Sequence, residues 1–423
     1  MKKVNRTDMI TAITNARVFD GERVIDGQTV VIDGASISAV GGAVPAGAAV
    51  VDAHGATLMP GLIDAHVHTS LDGLRDALAF GITTELEMQG HWTARDRKEV
   101  AERNDVADIR SAGMGITAPG GHPSELFSND EDPGADADHH PADDGHGHDF
   151  VAPFASTPEE ATNFVAKLVA NGSDYIKIMI EEGSVLGAPG LPMLNNDTIV
   201  AAVRAAHRHG KLAIAHTLTA AATQQAIAAG MDGLAHLFID RPHTPELVAA
   251  IAASGAFVTP CLVLNSSIMG HPATDLAADE RVSSKLSQAW LDTLRSSFNT
   301  YPQGNFDDVL ATVAALHKAG VDILVGTDVS VPLPHLGGLA HGASMHHELQ
   351  LLVAAGLTPI EALRAATALP ARRFGLTDRG RVAPGARADL LLVDGDPMTN
   401  IADTLSIRAV WRRGVRLITR LPQ

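Results

Sequence analysis

The sequence contains a single cysteine, Cys261, in 423 residues. One thiol cannot form an intramolecular disulfide, and it cannot supply the several thiolates that zinc-finger sites require. Any metal site is therefore expected to use nitrogen and oxygen ligands, from His, Asp, Glu or a modified Lys.

Long hydrophobic runs are also missing. The basic residues near the start are not followed by the continuous apolar stretch that a secretion signal carries. No segment elsewhere reaches the uninterrupted apolar length of a membrane span. We therefore expect a soluble, cytoplasmic protein with no membrane partner.

Basic residues are outnumbered, with 32 Lys and Arg against 49 Asp and Glu, and the formal net charge is −17. Nucleic-acid-binding proteins normally present a basic patch, and no run rich in Lys or Arg is visible here. The charge balance argues against a nucleic-acid partner. The 45% hydrophobic content is enough for a large core, in one large and one smaller domain.

Both ends of the chain have a sequence pattern typical of a small β-sheet. Residues 10–58 alternate in short β-like runs broken by Gly and Asp, and the same pattern returns over 380–418. This predicts a β-sandwich subdomain that both chain ends form together, from residues 1–60 and 380–423. The domain between them, residues 61–379, is then continuous.

Residues 61–379 alternate short apolar runs with amphipathic helical stretches, which is typical of βα units and a parallel sheet. Thr-Pro pairs at Thr157, Thr244 and Thr358 predict helix starts. Eight strand candidates can be identified, which is the number that a (β/α)8 TIM-like barrel requires, and the predicted fold class is therefore α/β. The strand candidates are 62–68, 82–88, 109–116, 174–180, 211–216, 232–237, 256–264 and 321–328.

Ionisable side chains end several of these strands. His66 and His68 are two residues apart, so a strand would direct both imidazoles to one face. In a barrel, the strand ends meet at one rim, where active sites are built. Singly, a His here is more often a hydrogen-bonded buried residue. Their coincidence at one rim favours a metal site, to which later strands add Lys177, His216, His236 and Asp328.

Lys177 lies in an apolar strand, where a charged ammonium is costly to bury without a partner. Either Glu181 or Glu182 pairs with it, or the neutral amine reacts with carbon dioxide to form a carbamate. A carbamate is anionic and bidentate, and it would suit zinc or manganese beside imidazoles.

Several motifs together resemble the amidohydrolase superfamily. They are MPGLID followed by HVH, YIKI, AHT, AHL and GTD, and the later stretch GRVAPGARADLLLVDGDP. The combination is most similar to the imidazolonepropionase-like, prolidase-like branch that carries a carboxylated lysine. The resemblance covers essentially the whole chain.

The resemblance implies two divalent metal ions, zinc first, with manganese or cobalt as alternatives, and a carbamate on Lys177. Asp328 would transfer a proton from the attacking water to the leaving amine. The first ion would be held by His66, His68, Lys177 and Asp328, and the second by Lys177, His216 and His236.

Substrate contacts are expected from residues near the same rim. His122 lies where relatives often carry a His, although a plain turn residue is an equal alternative. Glu85 and Glu87 replace a local pairing found in relatives, and no role is assigned to them. The other candidates for substrate or supporting contacts are Tyr175, His341 and His346.

The acidic segment 128–149 contains four further histidines, and we interpret it as a solvated, mobile βα loop in preference to a metal-capturing one. They are His139, His140, His146 and His148.

We expect an enzyme that hydrolyses an amide-type C–N bond of a small molecule, such as an N-acyl amino acid, a dipeptide or an aryl amide, and that forms a homo-oligomer. The same metals would also serve a lactonase, a carbamate or urea hydrolase, or a phosphotriesterase. An inactive barrel used for binding or as a scaffold is the alternative from another class.

Overall fold

The computed structural model describes residues 10–126 and 154–417, so the four histidines of the acidic segment lie outside it. Strands and helices alternate through most of the chain. The strands are β1 (Thr11–Phe19), β2 (Val24–Asp33), β3 (Ser36–Val40), β4 (Ala49–Asp52), β5 (Thr57–Pro60), β6 (Leu62–Val67), β7 (Ile82–Glu87), β8 (Asp108–Ser111), β9 (Ile176–Met179), β10 (Ala213–His216), β11 (Gly233–Ala235), β12 (Phe257–Thr259), β13 (Leu390–Val393), β14 (Ile407–Arg412) and β15 (Val415–Arg416).

The helices follow the strands of the central part and pack around them. They are α1 (Leu71–Ala79), α2 (Ala94–Glu102), α3 (Pro158–Ala170), α4 (Asn196–Arg208), α5 (Ala220–Ala229), α6 (Pro245–Ser254), α7 (Leu262–Ile268), α8 (Thr274–Ala278), α9 (Glu280–Ser283), α10 (Gln288–Leu294), α11 (Phe306–Lys318), α12 (Ala343–Ala354), α13 (Pro359–Ala365) and α14 (Ala368–Arg373). None of these described helices has the length and apolar character that a membrane span requires.

Both chain ends join in one sheet, in the order β15-β14-β13-β5-β1-β2-β3, with β4 paired to β1. Strand β5 is the junction, since it runs parallel to β1 and antiparallel to β13. Aliphatic and aromatic residues from both ends, including Ile13, Val30, Leu58, Leu390 and Trp411, share one buried cluster. The β-rich part of the predicted fold class is confirmed, and the domain boundaries at 60 and 380 stay a prediction.

Two arcs of parallel strands form the central barrel, one of β6, β7 and β8 and one of β9 to β12. A bridge between Ile116 and Ile178 joins them on one side. On the other side residues 321–329 close the ring, because Ile323 pairs with Val258 and Val329 pairs with Val67. The eight positions confirm the (β/α)8 barrel, with parallel neighbours all around.

Two of the predicted strands differ from the structure for a backbone reason. The candidate 256–264 ends at Thr259, because Cys261 has a φ of 51° and turns the chain into α7. The candidate 321–328 makes isolated bridges instead of a continuous ladder. Its last residue, Asp328, has a φ of 60°, which extended strands do not adopt.

The predicted helix starts are confirmed. Thr157, Thr244 and Thr358 are the N-cap residues of α3, α6 and α13, and each hydroxyl accepts a hydrogen bond from the backbone N–H three residues later. Each is followed by Pro at the first helical position, where the missing N–H costs no hydrogen bond. These caps fix where the helices begin after the barrel strands.

A buried ion network ties the barrel to the terminal sheet. Asp108 on β8 is 0% exposed, and its Oδ2 pairs with Arg379 and, at 2.8 Å, with Nη1 of Arg387. Arg412 on β14 approaches the other oxygen at 3.5 Å. Burial alone would raise the pKa of Asp108, but the three guanidinium groups lower it below its ordinary value of 3.8. The carboxylate is therefore charged wherever the protein is folded near neutral pH.

We expect Asp108→Asn to lower the free energy of unfolding by about 3–5 kcal/mol, because it leaves buried guanidinium groups without their counter-charge. Since the folded pKa of Asp108 is depressed, this contribution is present above pH 3.8 and is lost as the pH falls through the folded pKa. Urea denaturation at pH 7 measures the loss. The matched control is Asp105→Asn, which removes an exposed pair with Arg103 and should cost less than about 1 kcal/mol. Equal losses in the two variants would contradict the assignment.

Candidate metal centre

Two of the predicted ligands converge on a carboxylate oxygen of a third. The side chain of His66 lies in the barrel interior and is 1% exposed. Its Nε2 lies 2.8 Å from Oδ1 of Asp328. The Nε2 of His68 lies 3.1 Å from the same oxygen. The first and eighth barrel positions are neighbours in the ring, and that adjacency brings these residues together from opposite ends of the domain.

His216 and His236 complete a ring of imidazoles beside this group. The ring centroids of His66 and His236 are 4.6 Å apart, and those of His236 and His216 are also 4.6 Å apart. Within the described part of the chain, His216 Nε2 and His236 Nδ1 have no hydrogen-bond partner. A buried polar atom without a partner is costly, so these two nitrogens are open to a ligand.

Lys177 on β9 is 1% exposed and lies among these imidazoles, with Nζ 3.3 Å from His66 Nε2. The predicted alternative of an ion pair with Glu181 is wrong. Glu181 accepts a hydrogen bond from the Gly183 N–H at 2.7 Å, and its other oxygen faces His216 at 3.5 Å. Glu182 accepts from the Ser184 N–H at 3.3 Å, so it is not the partner either.

Burial determines the charge states of this cluster. It lowers the pKa of Lys177 to about 8, against the opposing pull of Asp328. It also lowers the pKa of His66 to about 3, and the pKa values of His216 and His236 lie well below the ordinary value. These imidazoles are neutral at pH 7, which is the form that binds metals. The lowered pKa makes the neutral amine of Lys177 more abundant at pH 7 than that of an exposed lysine.

The donor atoms fit a metal centre. One ligand atom each from His66, His68 and Asp328 lies within 4.8 Å of the other two, and His66, His236 and Cys261 form a second such group. Imidazole and carboxylate donors suit zinc and manganese. His216 Nε2 and His236 Nδ1 have no hydrogen-bond partner in the described structure, although Glu181 Oε2 lies 3.5 Å from His216 Nε2.

Cys261 is a neighbour of the centre that the sequence reasoning missed. Its Sγ lies 3.7 Å from His66 Nδ1, on the side of the ring away from Asp328. Burial raises the pKa of the thiol well above its ordinary value, so it is present as a thiol and not as a thiolate. The sequence signal was its place directly after the seventh strand, at the same rim.

Asp64 is a second residue that was missed. It accepts hydrogen bonds from the Thr327 hydroxyl at 2.8 Å, from the Thr327 N–H at 3.1 Å and from the His66 N–H at 3.2 Å. Burial raises the pKa of Asp64 to about 8, and its carboxyl group joins β6 to the segment that carries Asp328. These bonds fix the distance between the backbone of β6, which carries His66, and the backbone of the segment that carries Asp328.

His122 lies where a substrate contact was predicted. Its ring centroid is 4.4 Å from that of His216, and its Nδ1 is 2.5 Å from Oε1 of Glu125. The Glu125 carboxylate orients the imidazole, and the other ring nitrogen is left for a different contact.

Two predicted substrate contacts are wrong. The Tyr175 hydroxyl donates to the backbone carbonyls of Glu87 and Arg110 at 2.8 and 3.0 Å, and the ring is 1% exposed. His346 is fully buried, with its nitrogens 2.9 Å from Phe80 O and from the hydroxyl of Thr404. The polar atoms of both side chains are hydrogen-bonded within the fold, so neither side chain is available to a substrate.

His341 has a supporting role instead of a substrate contact. Its Nδ1 lies 3.1 Å from Glu85, and its Nε2 donates to the carbonyl of Ser330 at 3.1 Å. Burial alone would lower the pKa of His341, but Glu85 raises it above its ordinary value. This bridge fastens the loop that follows Asp328.

Glu87, the other acidic residue of β7 without an assigned role, accepts a hydrogen bond from Ser111 at 2.5 Å, and burial raises its pKa to about 7.

Comparison with known families agrees with this arrangement. Residues 57–417 match the model of the amidohydrolase family, which is most of the chain and includes every ligand candidate. The chain belongs to the amidohydrolase family.

Individual relatives match parts of the chain. It is 38% identical over 110 residues to the imidazolonepropionase of Deinococcus deserti, a match that covers 24% of this chain and 25% of that protein. It is 28% identical over 270 residues to the adenine deaminase of Rubrobacter xylanophilus, which covers 62% of this chain and 35% of that protein. The matched regions thus span about a quarter to a third of these relatives' own lengths.

Solved structures match along nearly the whole chain. A prolidase in complex with N-methylphosphonate-L-proline has a TM-score of 0.73 at 23% identity, covering 97% of this chain and 100% of that one. A molinate hydrolase has a TM-score of 0.72 at 20% identity, covering 98% and 95%. At these identities the likeness shows the shared fold alone.

We expect Asp64→Ala to weaken metal binding by about tenfold or more, because outer partners that orient ligands are worth 10- to 100-fold in affinity. Thr327→Val removes only the hydroxyl donor and should have a smaller effect. Titration calorimetry of the metal-free variants with zinc measures both affinities. An unchanged zinc affinity in Asp64→Ala, with the fold intact by circular dichroism, would contradict the role of Asp64.

Proposed function

We propose that the protein is a metal-dependent hydrolase that cleaves an amide-type C–N bond in a small molecule. The observation that carries this proposal is the group of four imidazoles, three of them buried with lowered pKa values, one buried lysine and one carboxylate at the carboxyl end of the barrel. Membership of the amidohydrolase family supports it. The group consists of His66, His68, His216, His236, Lys177 and Asp328.

Two divalent ions, zinc in the first instance, would be held by these six residues. When bound, they would supply an activated water and polarise the carbonyl of the scissile bond. His66, His68 and Asp328 would hold one ion, which agrees with their convergence within 4.8 Å. His216 and His236 would hold the other through the nitrogens that have no partner in the described structure.

Lys177 would join the two ions as a carbamate. Burial makes its neutral amine more available for reaction with carbon dioxide, since the pKa falls to about 8. In that reaction the amine nitrogen forms a bond to the carbon of carbon dioxide and releases one proton. Among residues 10–126 and 154–417, the hydrogen-bond contact of Lys177 Nζ is His66 Nε2 and not a carboxylate, although Asp328 is near enough to act on the lysine's pKa, and this contact supports the carbamate over a structural ion pair.

Asp328 is the proton carrier in this proposal. Burial alone would raise its pKa, but the neighbouring His66 and His236 and the hydrogen bonds from His66 and His68 lower it well below the ordinary value. Its ionised carboxylate accepts the proton of the attacking water and passes it to the leaving amine. The backbone bonds of Asp64 and His341 around residues 327–330 hold this carboxylate in place.

His122 is the group that faces the substrate oxygen. It lies beside His216 at the rim, and Glu125 holds its Nδ1. With Nδ1 held by Glu125, Nε2 is the nitrogen left to face the substrate. When both ring nitrogens carry protons, Nε2–H would donate a hydrogen bond to the carbonyl oxygen, where negative charge develops as water attacks.

Asp328→Asn tests the proposal most simply. We expect turnover of an amide substrate to fall by about 100- to 10,000-fold, because the amide group cannot accept the proton. The protein should stay folded. Asp322→Asn is the matched control on the same segment, since Asp322 pairs with Arg373 at the opposite end of the barrel. Turnover near the wild-type value in Asp328→Asn would contradict the catalytic role.

A further inference from the structure

Large apolar side chains that face solvent are concentrated at one end of the barrel. Seven are exposed in the described chain. Val50 lies on β4 of the terminal sheet, and Val44 lies on the connection between β3 and β4. The other five lie on loops that follow barrel strands, at the end where the metal centre lies. They are Leu126, Phe154, Met193, Val331 and Leu333, with exposures between 36% and 45%.

Three of these side chains form one side of the mouth. The backbone of Phe154 pairs with Thr117, next to the third barrel position, and Leu126 lies four residues after His122. Met193 follows Pro192, whose carbonyl is so close to Gly121 that a Cβ there would lie 2.6 Å from the oxygen. The loops after the third and fourth positions are therefore in contact, and we call these three residues the first wall.

Val331 and Leu333 form the second wall. They follow Asp328 by three and five residues, and the Leu333 N–H donates to the Val331 carbonyl at 2.8 Å. The Ser296 hydroxyl donates to the Pro334 carbonyl at 2.6 Å and anchors the loop. The eighth barrel position lies across an eight-membered ring from the fourth, so the two walls flank the metal centre from opposite sides.

The charges on these loops have one sign. Apart from histidines, the ionisable residues of 112–126, 180–195 and 328–342 are all carboxylates, namely Glu125, Glu181, Glu182 and Asp328. Glu181 is 2% exposed and Asp328 belongs to the metal centre, so Glu125 and Glu182 are the carboxylates that a group bound against these loops would meet. A substrate carboxylate held there, away from the metal ions, would meet like charge, which costs binding energy. The large apolar groups, in contrast, would gain from burying a nonpolar surface.

We propose that the substrate is a neutral molecule in which a large apolar group, aryl or branched alkyl, flanks the scissile bond and binds between the two walls. N-acyl amino acids and dipeptides with a free carboxylate are then poor substrates. This inference rests on the proposed hydrolase function and narrows its substrate class.

The test uses the full-length, zinc-loaded protein and two substrates that differ by one charge. These are phenylacetanilide and the same anilide with a carboxylate in the para position of the aniline ring. We expect kcat/KM to be at least tenfold higher for the neutral anilide. Equal values, or a preference for the carboxylate, would overturn the inference.

Variants assign the effect to the walls. Met193→Ser and Leu333→Ser should each raise KM for the neutral anilide by roughly fivefold, with kcat little changed, because each removes apolar contact area. Val50→Ser is the matched control, since Val50 is an exposed apolar residue on the terminal sheet. Leu333→Arg should shift the preference toward the carboxylate anilide. Unchanged KM in both serine variants would overturn the assignment of the walls.

Failure of the proposed function has a different signature. If the zinc-loaded protein hydrolyses no anilide, equilibrium dialysis with the same two compounds still compares their binding. Tighter binding of the neutral anilide would support the inference while the reaction is reassigned. Equal binding, or tighter binding of the carboxylate compound, would overturn the inference on its own.

Discussion

The burial of several ionisable groups in one small volume is the constraint on which this structure depends. His66, Lys177 and His236 are each 1% exposed, and His236 Nδ1 has no hydrogen-bond partner among the residues that the structure describes. Such a group is costly to bury, and a protein normally balances it with partners or with a metal. Neutral imidazoles around a carboxylate form a donor set for a divalent ion, so the cost of burying this cluster without a metal is the physical argument for its function.

The surrounding fold keeps this cluster in one geometry. Asp64 joins the first strand to the segment of Asp328, and the pair of Glu85 and His341 fastens the loop that follows it. At the other end of the barrel strands, Asp108 binds three arginines of the terminal sheet region. Ligand positions are thus determined by buried polar contacts on rigid elements, while the apolar walls lie on the loops.

The sequence predicted the parts that depend on local chemistry and periodicity. Apolar runs and Thr-Pro caps identified the eight barrel positions, and ionisable residues at strand ends identified the cluster of His66, Lys177 and Asp328. The errors arose where a residue's partner is remote in sequence. Tyr175 and His346 are adjacent to the right elements, but bonds to Glu87 and Phe80 occupy them, and no local pattern reports those bonds.

The same reason explains what was missed. In the sequence, Asp64 is a single carboxyl residue within an apolar strand and has no visible partner. Its partner Thr327 is 263 positions away in the sequence and is brought beside it only by the fold. Cys261 was considered only for what a lone thiol excludes, yet a left-handed backbone turn at the end of β12 aims it at His66. A sequence pattern does not report contacts between residues on opposite sides of the closed barrel. It also does not report a turn that depends on a single backbone angle.

The most direct measurement of the central claim combines metal analysis with carbon NMR on protein prepared with zinc and 13C-labelled bicarbonate. The account predicts two zinc ions per chain and one protein-bound carbamate signal in the wild type. Lys177→Ala should lose the signal and most of the zinc, and a short carboxylic acid added with zinc should restore part of the activity. Two retained zinc ions in an active wild-type enzyme without any carbamate signal would contradict the account.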